Sequence, residues 1–344
     1  MYQLQGVQHQ YCVMGKFMVD MTTFGPKVPG LKLLNRGKVR DSYELPGHDD
    51  LMLVVASDRI SIFDFVLGDF VRDKGEILTA LKVFWDKALL NPNGVLTDFV
   101  AAGAEIDKYL PKAQLNKGDL HARAVVVRKL EMIPVECIIR GYLTGSGLTA
   151  YKETAPKHLL CGHSLPPGLV DGSQFDNPLF TPTTKVTVGH DEHITAQSVD
   201  EKYGGELGDL AWEIYKVGRI HAALRQVIIA DTKFEFGYDK DRRLVLGDEY
   251  LTPDSSRFWD ETDWNLALRE GRTPKSHDKE FVRTWGRTLG IQRRKPEVNA
   301  DYAWVREQYV PKDVLAQTTG LYHTIFERLT QMPLATFQRE FMGM

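Results

Sequence analysis

The sequence is poor in cysteine, has no excess of basic charge and contains no long apolar run. Its three cysteines, Cys12, Cys137 and Cys161, are odd in number and widely spaced. That excludes a disulfide framework and a zinc-type spacing, and leaves reduced thiols in a cytoplasmic protein as the expectation. A net charge of −3 argues against a general nucleic-acid binder, which carries a basic surplus, but leaves room for a local basic pocket. No apolar stretch reaches the length of a membrane span, so no membrane association is expected. Residues 1–30 have no basic segment leading into an apolar one. They read as an extension, not a signal peptide. Internal repeats and low-complexity tracts are absent, as are a Walker-type phosphate loop, a Ser-His-Asp arrangement and the HRD and DFG segments of protein kinases.

What remains is an ordinary globular composition, 43% hydrophobic and 26% charged over 344 residues, long enough for two lobes. The chemistry concentrates in Val227–Trp259. Two apolar runs, Val227–Ala230 and Leu244–Leu246, flank a turn of hairpin length. Alternation along a strand puts Asp231, Lys233 and Glu235 on one face and Thr232, Phe234 and Phe236 on the other. The second run delivers Asp248 and Glu249. Carboxylates at neighbouring strand ends suit Mg²⁺ that also holds phosphates; the alternative is a solvated hairpin with salt-bridged charges.

Earlier in the chain, Leu33–Leu45 carries a Gly-Lys-x-Arg turn able to lay backbone amides and Lys38 over phosphates. Leu51–Ala56 reads as a strand buried on both faces, ending in a polar segment with Asp58, Ser61 and Asp64 that serves either ligand contact or turn capping. Gly75–Leu90 is a helix with Ile77, Leu81, Phe84, Trp85 and Ala88 on its core face, stopped at Asn91–Gly94. Val95–Leu120 looks irregular and His121–Leu130 looks like a strand. After extended Cys137–Ile139, Arg140 leads into a glycine-rich loop with Thr144 and Ser146, an anion cradle or a surface turn. Gly168–His190 reads as a long loop, a candidate lid that carries Lys185. Helices are expected over His193–Tyr203 and Leu207–Gln226, the latter with Leu224 in its apolar stripe, and over Pro311–Leu329. Asp260–Ala300 reads as charged and irregular, with one short helix near Phe281–Leu289 and no evident chemistry.

Several of these segments, in order, resemble one family. Met132–Gly147 (MIPVECIIRGYLTGSG) and Ile229–Gly237 (IADTKFEFG) are similar to the signature segments of SAICAR synthetases, the phosphoribosylaminoimidazole-succinocarboxamide synthases. GKVRDSYEL, SDRISIFDF, FTPTTK with GHDE, and LGDEYLTPDSSRFW follow the same family, in its long form. The resemblance implies an α+β fold with two lobes related to ATP-grasp and kinase lobes: a β-rich ATP-binding lobe over 31–128 and an α/β lobe over 129–344. It implies a carbon–nitrogen ligase that joins L-aspartate to carboxyaminoimidazole ribonucleotide (CAIR), using ATP and Mg²⁺, with small molecules as its partners and a monomeric or small homo-oligomeric state.

The resemblance also assigns roles. Gly37, Lys38 and Arg40 fall over the phosphates. Arg128, Leu130 and Met132 fall at an inter-lobe connection beside the adenine, with Glu136 and Asp231 also on the nucleotide. Glu235 and Asp248 hold Mg²⁺–ATP, and Lys233 lies next to the phosphates. Arg140, Ser146 and Arg257 grip the ribonucleotide, Asp191 lies near its metal, and Ser61, Asp64 and Lys185 are candidates for aspartate. Two rival readings are a kinase-like small-molecule phosphotransferase and a non-catalytic nucleotide-binding protein. The missing HRD and DFG segments argue against the first, and the presence of both metal carboxylates argues against the second.

Overall fold

The computed structural model describes residues 11–14, 17–20, 28–115, 117–185 and 192–344. Within the N-terminal extension, β1 (Tyr11–Met14) and β2 (Phe17–Asp20) pair as a hairpin. Two larger sheets organise the rest. The first has five strands in the order β3 (Leu33–Arg36), β4 (Arg40–Glu44), β5 (Leu51–Ala56), β9 (Ala124–Arg128) and β8 (Phe99–Ala102). The second is built on β16 (Val227–Tyr238). It pairs with β10 (Glu131–Met132), β11 (Val135–Tyr142), β17 (Leu244–Gly247) and β18 (Ser256–Asp260), and β11 in turn pairs with β14 (Gln174–Phe180) and β15 (Thr183–Thr184). Small hairpins β6–β7 (Arg59–Ile62, Phe65–Phe70) and β12–β13 (Leu159–Leu160, His163–Ser164) complete the strands. The mixture of helix and sheet is α+β, as expected.

The β16–β17 hairpin forms as the sequence predicts, with Tyr238 opposite Leu244 and Glu235 opposite Gly247. Phe234 and Phe236 are fully buried, in a core shared with Leu81, Trp85, Ile139, Ile214 and Phe326. That core runs from helix α1 (Lys74–Phe84) across the second sheet to α5 (Glu206–Ala223) and α9 (Lys312–Thr330). Residues 96–98 also run beside β17: Thr97 bridges Leu246 in parallel, the Leu246 N–H donates to the Leu96 carbonyl and the Asp98 N–H donates to the Leu246 carbonyl, both at 2.9 Å. This strip stitches one sheet to the other.

Several expectations need correction. Leu51–Ala56 is not buried on both faces; Leu53 and Val55 are buried, while Met52 and Val54 line a cavity. Val95–Leu120 is not irregular throughout, since it contains β8 and helical turns. Strand β9 starts only at Ala124, because His121 belongs to the short helix α2 (Gly118–Arg123). The glycine-rich loop after Arg140 becomes helix α3 (Gly145–Glu153). Gly168–His190 is not a free loop, because its middle is β14 on the sheet edge. Asp260–Ala300 holds α6 (Glu261–Glu270) as well as α7 (Glu280–Thr288). Ala88 is exposed because the helix changes to a wider π turn at Trp85–Leu90, and Leu224 is 80% exposed because α5 ends before it. α4 (Ala196–Tyr203) and α8 (Asn299–Arg306) lie beyond the cavity, and α10 (Leu334–Met342), not α9, closes the described chain.

Candidate active site

Between the two sheets lies a cavity of about 890 Å³. One wall is apolar: Met52, Val54, Val125, Val127, Leu130 and Ile138. The rest is charged. Among the described residues, twelve Lys and Arg and nine Asp and Glu residues line it, a cationic surplus inside a chain whose net charge is −3. Such a lining suits ligands with several negative charges and one flat apolar end.

The β3–β4 turn places Gly37, Lys38 and Arg40 on one rim. The Gly37 N–H donates to the Arg40 carbonyl at 2.8 Å, and a Cβ at Gly37 would lie 2.9 Å from that oxygen, so the turn is tight enough to require glycine. Lys38 Nζ meets Asp64 at 2.5 Å. Arg40 meets Asp248 at 2.7 Å and Glu249 at 3.6 Å.

On β16 the alternation holds. Lys233 donates to Glu136 at 2.6 Å and to Glu235 at 3.2 Å, and Lys185 also pairs with Glu235. Burial alone would lower the Lys233 pKa, but Glu235 and Glu136 outweigh it and hold the ammonium charged. Burial likewise pushes Asp248 up, yet Arg40, Lys185, Lys233 and Lys82 prevail and hold it at about 2. Among the described residues no three carboxylate, histidine or cysteine groups converge as a preformed metal cage. The donors Glu235, Asp248 and Glu249 are instead hard oxygens already neutralised by lysine and arginine. That set fits Mg²⁺ arriving with nucleotide phosphates, which supply part of its shell, better than a resident ion.

Two residues before Lys233, on the same face of β16, Asp231 anchors an anion pocket. Arg140 is 1% exposed and donates to Asp231 at 2.7 Å, and to Thr181 and Ser146 at 3.0 Å each. Arg257, brought alongside by β18, reaches the same Asp231 oxygen at 2.5 Å. Gly145, at φ +55°, starts α3 directly against Arg257; a Cβ there would lie 2.3 Å from its guanidinium. Two arginines share this one carboxylate, with Glu280 and Asp278 also acting on Arg257.

Seventeen of the eighteen residues singled out by sequence line this one cavity, Ser61, Arg128 and Met132 among them. Asp191 lies outside the described residues. The Arg128 guanidinium is turned away to the carbonyls of Thr97 and Phe99, at 3.0 and 3.3 Å, so any ligand contact there belongs to its backbone. Sequence reasoning missed the cations of the α7 segment, Lys279, Arg283 and Arg287, along with Asp254, Asp278, Lys82 and Asp98. The spacing of four between positions 279, 283 and 287 was the signal, since it sets three cations on one helical face. Burial pushes Lys279 down to about 8, and burial pushes Asp278 up to about 6.

Flat apolar wall, cationic rim and paired carboxylates between two sheets define a nucleotide-dependent enzyme of phosphoryl-transfer type. Comparison narrows the class. A sequence model of SAICAR synthetase matches residues 33–298. The phosphoribosylaminoimidazole-succinocarboxamide synthase of Thermobifida fusca is 42% identical over 316 residues, covering 88% of this chain and 92% of its own. That of Mycobacterium leprae is 42% identical over 309 residues, covering 87% and 93%. The SAICAR synthase from Saccharomyces cerevisiae, solved in complex with SAICAR, superposes with a TM-score of 0.74 at 34% identity, over 90% of this chain and 98% of that one. The chain belongs to the SAICAR synthetase family, ATP-dependent carbon–nitrogen ligases of purine biosynthesis that join aspartate to CAIR.

Proposed function

We propose that the cavity binds ATP, CAIR and L-aspartate together and that the reaction runs through an acyl phosphate. The observation that carries this is the convergence, in one cavity, of two separate anion-holding groups: Lys38, Arg40 and Lys233 beside Glu235 and Asp248, and Arg140, Ser146 and Arg257 beside Asp231. The first group suits a triphosphate. The adenine lies against Met52, Val54, Val125 and Val127, near Leu130, whose backbone makes no hydrogen bond to another described backbone group. Glu136 and Asp231 position the lysine and arginines that meet the ligands. The second group suits the ribonucleotide phosphate and carboxylate, where the arginine fork is worth more than a point charge. Ser61, Asp64 and Lys185, with Lys279, Arg283 and Arg287, surround the remaining space and suit the carboxylates of aspartate. By the resemblance alone, Asp191, which lies outside the described residues, is assigned to the substrate's metal.

A free carboxylate does not acylate an amine at a useful rate, because oxide is a poor leaving group. In the proposed order a CAIR carboxylate oxygen attacks the γ-phosphorus and the bond to ADP breaks. The aspartate amine then attacks the acyl carbon, the C–O bond to phosphate breaks, and the amine proton is lost. Mg²⁺, when bound through Glu235 and Asp248, neutralises phosphate charge. The protein's own part is positioning and charge stabilisation, with no protein nucleophile. Cys137, buried mid-strand with its thiol pKa pushed up by burial, is unsuited to one.

We assign residues 31–128 to an ATP-binding lobe and 129–344 to a lobe that binds both ATP and substrate, with 1–30 as an extension. The enzyme is expected in the cytoplasm as a monomer or small homo-oligomer, and no helix among the described residues is long and apolar enough to cross a membrane. The test is ADP release from ATP and Mg²⁺. Release that requires both CAIR and aspartate supports the reading. Release with any hydroxylated acceptor alone supports a phosphotransferase, and none at all a non-catalytic binder.

A further inference from the structure

We propose that the buried Lys82–Asp98 ion pair is a clamp that positions Asp248. The inference rests on the reading of Asp248 as a carboxylate for the nucleotide's metal. Lys82 interrupts an apolar stretch of α1, LTALKVF, and is only 5% exposed; Asp98 is 4% exposed. A charged pair in such a place carries a desolvation cost that hydrophobic residues would not. Its geometry shows what it does there. Lys82 Nζ donates to Asp98 Oδ1 at 2.7 Å and to the backbone carbonyl of Asp248 at 2.5 Å. The other Asp98 oxygen accepts the backbone N–H of the same Asp248 at 3.2 Å. One ion pair therefore takes both hydrogen-bonding groups of a single backbone residue.

That residue needs holding. Asp248 has φ +60°, the left-handed region, which a non-glycine residue adopts at a cost and keeps only when its surroundings fix it. The conformation is what turns the chain sharply after β17 and aims the carboxylate at Arg40 and the cavity. The clamp is itself anchored. The Asp98 N–H donates to Leu246 at 2.9 Å, its carbonyl accepts from Arg128 at 2.8 Å, and Lys82 is fixed on α1. The third donor direction of the ammonium is filled by the Tyr250 ring, whose centroid lies 4.4 Å away. With Asp98, the Asp248 carbonyl and the ring all engaged, Lys82 has no direction left for a phosphate and acts through Asp248.

The test separates positioning from direct contact and from folding. ADP binding is measured by calorimetry with Mg²⁺ and again with EDTA, on Lys82→Met, Lys82→Arg and the neutral pair Lys82→Met/Asp98→Asn, each checked for cooperative melting. Lys82→Met is expected to weaken ADP about tenfold in Mg²⁺ and less than twofold in EDTA, with Lys82→Arg recovering at least half of the loss. Equal weakening in both conditions overturns the clamp and makes Lys82 a direct ligand. Unchanged binding in both, in a variant that melts cooperatively, also overturns it. If Lys82→Met does not fold, the neutral pair carries the same test, and loss of cooperative melting in all three variants reduces the pair to a folding element and ends the proposal. Asp248→Asn is the control for the underlying reading. If it leaves the Mg²⁺ dependence of ADP binding intact, the metal assignment has failed, whatever the Lys82 variants do.

Discussion

Arg140 and Arg257 compete for one carboxylate, Asp231, and this sets what each substitution does. Arg257 is partly open to the cavity, whereas Arg140 is enclosed and also holds Thr181 and Ser146. Arg257→Lys keeps the charge and loses the fork. It should raise the KM for CAIR roughly tenfold, about 1.4 kcal/mol, and leave ADP affinity within twofold; calorimetry with each ligand alone checks the split. Asp248→Asn keeps the shape and removes a charge. Turnover at saturating Mg²⁺ should fall at least about a hundredfold, roughly 3 kcal/mol, and near-normal turnover would sink the assignment. Lys279 supplies a pH signature. Its ammonium, destabilised by burial, loses its proton near pH 8 in the free enzyme. Because the charged form is the one that attracts anions, kcat/KM should decline as pH rises through about 8, and Lys279→Arg, which stays charged, should abolish that decline. The β16 residues were legible in the sequence because period-two alternation fixes which side chains share a face. Lys279 was not, because it sits in a charged stretch whose helical period is short and whose partners lie far away in the chain.

At the scale of elements, β16 is the frame and its neighbours deliver the chemistry. Its pairing with β11 sets Arg140 directly opposite Asp231, and its pairing with β18 sets Arg257 opposite the same residue. Register alone therefore builds the anion pocket. Helix α3 closes it, and Gly145 is where the helix can approach. Gly145→Ala adds a Cβ into the Arg257 guanidinium at a positive φ, so it should weaken CAIR binding at least fivefold while ADP binding stays within twofold; equal loss for both ligands would mean general disruption. The sequence hid α3 behind glycines that read as loop, although its first residue needs glycine for its positive φ and for clearance from Arg257. It hid β14 in the same way. Gln174–Phe180 contains Asp, Asn and Pro, all poor strand formers, yet its pairing with β11 at Ile139 and Arg140 holds it extended on the sheet edge. Tertiary pairing overrode local preference there. It follows that the amides of β14 paired to β11 should exchange slowly with and without ligand, unlike those of a lid. Fast exchange that slows only when ATP and CAIR are bound would restore the lid.

At the scale of the whole molecule, the two sheets face each other across the cavity, and the strip at Leu96–Asp98 ties them together. Family, fold class and most residues lining the candidate site were readable because the motifs that carry them are long and ordered. The tie was not, because a parallel bridge between residues 97 and 246 leaves no local signature. With two anion groups on one cavity, the proposed mechanism transfers the phosphoryl group from ATP to the substrate carboxylate. Heavy oxygen placed in the CAIR carboxylate should therefore appear in the released phosphate, since the oxygen that attacks phosphorus leaves with it. Unlabelled phosphate would mean that water, not the CAIR carboxylate, takes the phosphoryl group, and the acyl phosphate scheme would be wrong. Attack of the amine before phosphorylation gives the same label, so order needs a second measurement. With aspartate omitted, an acyl phosphate formed reversibly scrambles the β–γ bridging oxygen of ATP, provided the β-phosphate of bound ADP can rotate. In the proposed binding mode Arg40 and Lys233 hold that phosphate, so rotation is restrained and scrambling should be slower than turnover. It should quicken in Arg40→Ala, where one restraint on the phosphate is gone. Scrambling in that variant with CAIR present and aspartate absent supports the acyl phosphate; its dependence on added aspartate would instead place amine attack first.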